Sequence, residues 1–212
     1  MISSKNANRE ARAPAHDHSP QRAKGNRPFE APLTVSRSEL VDAGGLSDRS
    51  FRQLVYDLSV AGTQLEVARA YLASQLNVSS PRYNIIMVVA QYQGTKGVSV
   101  SEVMRHLHVT TAHVGYEVKT LELEGWVERI VNPDDRRSTL LKITRDSEQR
   151  VTDLGDELRF VNDHLFRNVT AEDFATLSRL VAQIVDDFSE TIALLEAKQA
   201  NRKRAKVRLG ED

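Results

Sequence analysis

The sequence predicts a mainly α-helical fold that contains one two-stranded β-hairpin. Apolar residues recur every three or four positions along several long stretches, which is the spacing of one helical face. Ser or Thr residues stand where these stretches begin, as is typical of helix N-caps. One pair of β-prone runs flanks a polar turn, and this arrangement predicts the hairpin.

Composition excludes several classes of protein. The 212 residues are 40% apolar and 27% charged, so they can bury one sizeable core in one domain or two small ones. The absence of cysteine excludes disulfides, thiolate metal sites, cysteine nucleophiles and thiol-based sensing. Because no apolar run approaches about 20 residues and the N-terminus lacks a secretory core, we expect no membrane partner and a cytoplasmic, nucleoid-associated protein.

The zero net charge hides an uneven distribution. Residues 1–37 and 198–212 each carry a net charge of +4, residues 81–145 carry +2, and residues 146–197 carry −8. A protein with this distribution is suited to meeting a polyanion on one side only.

The N-terminal part predicts a tail followed by a helix. Residues 1–46 mix Pro, Ser, Asn and Arg without periodicity, which predicts a disordered basic tail. From Ser47 onward, apolar residues follow one helical face, which predicts a first helix within residues 47–78.

Three short helices and a hairpin are predicted next, within residues 79–144. Ser80 before Pro81 reads as an N-cap with proline in the first turn, and Ser99 with Glu102 forms a capping box. Thr110 is expected to cap the helix that follows, and Gly125 to end it. The runs 126–131 and 138–143 around the turn Asn-Pro-Asp-Asp-Arg-Arg complete the order of a winged helix-turn-helix domain.

Long helices are predicted for residues 145–197. Thr144 caps a long helix that reaches Leu165, and Thr170 with Asp173 opens another. Their apolar seams are longer than one winged domain can cover, so together with the first helix they predict a homodimer. Residues 198–212 are expected to form a basic C-terminal tail. The predicted dimer contacts are Phe51, Leu54, Leu58, Phe174, Leu177, Val181, Ile184, Phe188 and Leu195.

Two segments resemble the MarR family of multiple-antibiotic-resistance-type regulators. Residues 109–127 (VTTAHVGYEVKTLELEGWV) resemble the recognition helix of the family and the residues that directly follow it, with no gap in the match. The turn NPDDRR, the strand after it and the pair Ile143 and Thr144 are similar to the wing signature of the family and the start of its next helix. The resemblance covers roughly residues 50–197.

The resemblance implies a homodimer with intertwined terminal helices, two winged domains on successive turns of double-stranded DNA, and a small-molecule effector. Independently of the family, a two-fold dimer presents two recognition helices to half-sites about 10 base pairs apart, which predicts an inverted-repeat operator. An effector bound between the dimerisation helices and the winged domain would change the spacing of the two recognition helices.

The candidate base and phosphate contacts lie on the recognition helix, opposite its buried face. Hydroxyl, phenol and ammonium groups suit phosphate anchoring, whereas imidazole and the threonine methyls suit base edges. The alternative is that some of these side chains are ordinary solvated surface. The candidates are Thr110, Thr111, Ala112, His113, Gly115, Tyr116 and Lys119.

The same helix departs from the family pattern. Gly115 and Tyr116 stand where family members commonly have Thr-Arg, and Glu117 stands at a position that is usually apolar. An anionic Glu near phosphates is unfavourable unless it is paired. Gly115 indicates either a close approach of the helix backbone to DNA or a neutral substitution.

The wing supplies a second candidate contact. Asp135 and Arg137 resemble the Asp-x-Arg pair of the family. At this separation the carboxylate can hold the guanidinium extended, so we expect Arg136 and Arg137 to contact DNA, with Arg137 in the minor groove. The alternative is a solvated turn with weak charge pairs.

No pattern indicates catalysis or a metal site. The pair His106 and His108 and the pair His16 and His18 lack the spacing that places two imidazoles on one helix face. No nucleophile elbow, phosphate loop or paired carboxylates are present, so we expect neither an enzyme nor a cofactor.

The sequence therefore predicts a DNA-binding, ligand-responsive transcriptional regulator, most simply a repressor. Two alternatives stay open. A winged helix can dock proteins without touching DNA, and a chain with basic tails can bind DNA architecturally without sequence preference.

Overall fold

The computed structural model describes residue 29 and residues 31–108 and 111–209; for residues 111–113 and 205–209 only the backbone is described. The chain divides into two compact units, residues 1–55 and residues 56–212.

The helices are α1 (Arg49–Gln75), α2 (Ser80–Tyr92), α3 (Val100–Leu107), α4 (Thr111–Leu123), α5 (Arg145–Asp153), α6 (Gly155–Leu165) and α7 (Ala171–Leu209), and the strands are β1 (Val127–Val131) and β2 (Thr139–Ile143). The predicted fold class is confirmed.

In the first unit, the residues before α1 form an ordered loop. Thr34 donates from its backbone N–H and its hydroxyl to Asp48 Oδ2, both at 2.5 Å. These two hydrogen bonds lower the pKa of Asp48, whose side chain is fully buried. The expectation of a tail without structure through residue 46 is therefore wrong for residues 31–46, because the carboxylate of Asp48 organises the chain in front of the helix. Residues 1–28 lie outside the described residues.

The second unit contains the apolar core, which is built by α2, α3, α4 and the hairpin. Strands β1 and β2 pair antiparallel, with Val127 opposite Ile143. Val98 forms an isolated bridge with Leu141, and this extends the hairpin on one side. Gly97 precedes that bridge at φ +98°, and a Cβ there would lie 2.9 Å from Leu140 Cβ, so the close approach requires glycine. The fully buried side chains include Ile85, Ile86, Val89, Val103, Val114, Val118, Leu121 and Leu141.

The helix ends confirm most of the predicted caps. The reciprocal capping box of Ser99 and Glu102 is present, and its hydrogen bonds lower the pKa of Glu102. Thr144 caps α5 by accepting from the backbone N–H of Ser147, and Gly125 follows α4 at φ +75°. The predicted N-cap at Ser80 is displaced by one residue: Ser79 is the N-cap, since Ser80 already lies inside α2.

Two predicted helices have different limits in the structure. The long helix after Thr144 is interrupted at Leu154, whose ψ of −10° separates α5 from α6. The following Gly155 explains the interruption, because glycine is a poor helix former. The predicted boundary at residue 197 is also wrong, since α7 continues to Leu209. Residues 198–209 lack an apolar seam but consist largely of Lys, Arg and Ala, which favour helix.

Candidate nucleic-acid interface

Helix α4 is held by its apolar face. Val114, Val118 and Leu121 have no exposed surface, so this side of the helix is fixed in the core. The opposite side faces outward and carries Gly115, Tyr116 and Lys119, all exposed. Of the other predicted contacts on this helix, Thr110 lies outside the described residues. Thr111, Ala112 and His113 belong to α4, but their side chains are not among those described.

Glu117, whose charge conflicted with a DNA-binding surface, is paired. Arg82 of α2 donates from Nε to Glu117 Oε2 at 2.8 Å and from Nη1 to Glu124 Oε1 at 2.8 Å. The Glu117 side chain is only 14% exposed, and its hydrogen bond raises the pKa of Arg82 above the usual value. The single cation of Arg82 thus offsets one of the two negative charges, leaves the cluster with a net charge of −1, and joins α4 to α2.

Sequence reasoning missed Arg82. The available signal was the spacing of Glu117 and Glu124, which are seven residues apart and so lie on one side of the chain where α4 ends. A cation from a neighbouring element would stabilise two acids on one side of a predicted recognition helix. The identity of that cation depended on how α2 packs against α4.

Gly115 has no structural reason to be glycine within this chain. Its φ is not positive, and a Cβ built there would meet nothing within 4 Å. The backbone of α4 is therefore open on this side.

The wing tip is organised by its own polar groups. Asn132 donates from its backbone N–H to the carbonyl of Ser138 at 3.1 Å, and its side chain donates to Ser138 Oγ at 3.0 Å. Ser138 also donates from its backbone N–H to the carbonyl of Asp135 at 3.0 Å. Lys96, which the sequence reasoning also missed, pairs with Asp134 at 2.8 Å. These contacts give the tip a defined shape between the two strands.

The role expected for Asp135 needs correction. Its Oδ1 accepts from the backbone N–H of Arg137 at 3.0 Å, not from the guanidinium. A side chain that bonds to the backbone two residues on is a common turn arrangement of Asp, and it competes for the same carboxylate. Among the described residues, Arg136 and Arg137 have no ion-pair partner, and both are exposed. Two unpaired guanidinium groups thus lie at the wing tip.

A cavity of about 450 Å³ lies between the core of the winged domain and α6. The rings of Tyr92 and His106 stack at its wall, with centroids 3.7 Å apart and an angle of 11°. Arg69 of α1 and Asn162 of α6 contribute polar groups. The cavity therefore combines aromatic and hydrogen-bonding surface.

The predicted dimer contacts lie at the surface of the single chain. Phe174 is 62% exposed, Phe188 is 56% exposed and Leu195 is 55% exposed. Leu54, Leu177 and Val181 are also exposed, whereas Phe51, Leu58 and Ile184 are half-buried. Most of the apolar side of α7 is thus exposed in the part of the chain that the structure describes.

Within the described ranges, no group of three or more His or acidic side chains is arranged to hold a metal ion. None of the described helices is both long and apolar enough to cross a membrane.

Helices α2, α3 and α4, the last of which has an outward-facing side, together with the hairpin β1–β2 define a winged helix-turn-helix domain. Residues 76–138 match the model of the MarR family. The resemblance to the MarR family seen in the sequence is therefore confirmed over this segment.

Individual relatives match parts of the chain. The Multiple antibiotic resistance protein MarR of Salmonella typhimurium is 38% identical over 66 residues, which are 29% of this chain and 44% of the relative. The match thus spans less than half of the length of that relative. The transcription regulator MarR from Oenococcus oeni has a similar structure, with a TM-score of 0.55 and 13% identity over 63% of this chain and 98% of that one.

A mutant of MarR from Escherichia coli, solved in complex with operator DNA, has a TM-score of 0.50 and 22% identity over 62% of this chain and 93% of that one. At these identities the likeness of the solved structures shows the fold.

Proposed function

We propose that this chain is a DNA-binding transcriptional regulator that acts as a homodimer. The observation that carries the proposal is the pairing of an exposed α4 surface with two unpaired arginines on the adjacent wing. An outward-facing helix fits the major groove, and arginines on a loop fit the narrower minor groove beside it. The matched structure of a MarR mutant with operator DNA supports this use of the fold.

The electrostatics of α4 support the same use. The carboxylate of Glu117 is paired with Arg82, which reduces its repulsion toward phosphate. Lys119, Arg136 and Arg137 are exposed and have no ion-pair partner in the described part of the chain. We assign residues 79–144 to DNA binding, with Gly115 allowing the helix backbone to approach the duplex.

We propose that α1, α6 and α7 form the dimer interface. Exposed Phe174, Phe188 and Leu195 follow one side of α7, and a contiguous row of large exposed apolar side chains supports an interaction surface there. A two-fold dimer would place two winged domains on half-sites about 10 base pairs apart, on an inverted repeat.

The cavity beside Tyr92 and His106 is the proposed effector site. It is bounded by α1 and α6 on one side and by the winged domain on the other, so a bound molecule would bias the spacing of the two recognition helices. Filling the cavity by Val88→Trp should abolish the response to an effector and leave DNA affinity unchanged. A variant that still releases DNA on addition of effector would place the effector elsewhere.

Selection of bound DNA from a random pool tests the central proposal. We expect enrichment of an inverted repeat whose half-sites are one helical turn apart. Two other outcomes would contradict it. Binding of all duplexes with equal affinity at two salt concentrations would indicate an architectural protein, and no binding would indicate a protein-docking module.

A further inference from the structure

The C-terminal end of α7 carries positive charge that the proposed recognition surface does not include. Lys198, Arg202, Lys203 and Arg204 are exposed, and none of these four has an ion-pair partner among the described residues. The sequence adds two further cations at positions 206 and 208 and has no acidic residue between 197 and 210. This segment, residues 198–209, is called the cationic end of α7 below.

The apolar side of α7 stops before this segment. Large apolar residues follow a spacing of three and four from Phe174 to Leu195, and the next two positions of that spacing are Lys198 and Arg202. Burying unpaired charges against an apolar partner surface is costly. The cationic end is therefore a separate surface from the proposed dimer interface.

Helix stabilisation alone does not account for this charge. Cations favour the last turn of a helix because they complement the helix dipole, an effect that fades within that turn. Lys198 lies eleven residues before Leu209, so it is about three turns from the helix end. The charge thus extends well beyond the part of the helix that benefits from it.

One contact places the cationic end relative to the recognition helix. Ser189 of α7 lies 3.2 Å from Nδ1 of His108, measured from its Oγ. His108 is the C-cap of α3, in the left-handed conformation, and α4 begins at Thr111. At 1.5 Å per residue, Lys198 is about 13 Å and Arg204 about 22 Å further along α7 from that contact. The cationic end thus starts about 13 Å along α7 from a contact with the residue that ends α3.

We infer that the cationic end of α7 is a second DNA contact, which binds phosphates beside the site read by α4 and the wing. The inference rests on the proposed function, since it needs a duplex held at α4. A helix with many cations and few hydrogen-bonding side chains for base edges contributes affinity without sequence choice.

The test compares two double variants that remove the same charge. Arg202→Gln with Arg204→Gln removes two cations from the cationic end, and Arg167→Gln with Arg179→Gln removes two exposed cations near the start of α7. Glutamine keeps the helix propensity high, and circular dichroism checks that the helix is retained. Affinity for the selected operator and for random duplex of equal length is measured over a range of salt concentrations.

We expect the Arg202 and Arg204 variant to bind both duplexes more weakly by the same factor. The slope of log affinity against log salt should fall by about 0.9 for each phosphate that the variant no longer neutralises. The control variant should keep the slope of the parent. Equal slopes for parent and both variants would overturn the inference while leaving the proposed function intact, because the parent would still select its operator.

Two other results would also overturn it. A changed operator preference of the Arg202 and Arg204 variant would show that the cationic end contacts bases. Dissociation of the Arg202 and Arg204 variant into monomers, seen by sedimentation without DNA, would show that the cationic end contacts the acidic part of α7 in a second copy. A parent that binds no duplex would contradict the proposed function first.

Discussion

Helices α4 and α7 use their apolar sides in opposite ways. The apolar residues of α4, such as Val114 and Leu121, are completely buried by the chain itself. Those of α7, such as Phe174 and Phe188, are more than half exposed. The core of the winged domain is thus closed within one chain, whereas α7 leaves most of its apolar side exposed. In the proposed homodimer, folding and assembly therefore depend on different regions, which mutations can separate.

The largest expected effect is on the stability of the winged domain. Leu121→Ala should lower the free energy of unfolding by about 2 to 5 kcal/mol, because it leaves a cavity in a closed core. Leu123→Ala, on the same helix at a position that is 80% exposed, is the matched control and should change it by less than about 0.5 kcal/mol. Urea unfolding at one fixed protein concentration measures both. If both variants lost the same free energy of unfolding, the contrast between buried and exposed apolar residues of α4 would be contradicted.

The next effect concerns assembly. Phe188→Asp places a charge on the apolar side of α7, so we expect monomers or insoluble protein at micromolar concentration. Ile184→Asp should act in the same way. Ala193→Asp, about 140° around the helix from Phe188, is the control and should leave the dimer intact. Analytical ultracentrifugation distinguishes these cases, and a sharp monomer peak from the unmodified protein would refute the dimer.

At the wing, the expected effect is on DNA alone. Arg137→Ala should weaken operator binding by about 1 to 3 kcal/mol per half-site, because a well-placed guanidinium no longer reaches the duplex. Folding should be unchanged, since Arg137 is exposed and lies outside the core. Operator affinity and melting temperature are compared with the parent. Parental affinity would mean that the wing does not read DNA in this protein.

A smaller effect is expected where α2 meets α4. Glu117→Gln and Arg82→Gln, alone and together, form a double-mutant cycle for the ion pair between these helices. The coupling free energy should be about 0.5 to 1 kcal/mol, because the pair is only partly exposed but still reaches solvent. Unfolding in urea gives the four values. A coupling of zero would show that the pair neutralises charge without fixing α4.

The smallest effect is expected at Asp135. Because its carboxylate holds the backbone N–H of Arg137 and not the guanidinium, Asp135→Ala should loosen the turn and leave both arginines free to reach DNA. We expect a loss of operator affinity smaller than that of Arg137→Ala, and a change in stability below about 0.5 kcal/mol. A loss as large as that of Arg137→Ala would mean that the shape of the turn, not the charge, determines binding.

Much of the fold could be predicted from local signals. The helix-end signals act over three or four residues, so sequence spacing was enough to predict these helix ends. They are the capping box at Ser99, the cap at Thr144 and the glycine at Gly125. Two helix limits were missed, at Leu154 and after residue 197. In the second case the criterion was apolar periodicity, which does not detect a helix formed by strong helix formers without a buried face.

The candidate site could likewise be predicted only in part. The exposed side of α4 followed from helix periodicity, and the arginines of the wing followed from the resemblance of this turn to the wing of the MarR family. The partner of Glu117 and the bond made by Asp135 did not follow, because each depends on which groups meet in space.

The sequence by itself determined the order of helices and strands, the side of α4 that is buried, and the positive charge of residues 198–209. Each of these depends on residue type and spacing within a few turns. Only the tertiary structure decided that Arg82 pairs with Glu117, that Ser189 meets His108 at the end of α3, and that Tyr92 stacks on His106 at a cavity wall. These contacts join residues up to 81 positions apart, and pairs so distant along the chain meet only when the helices between them pack.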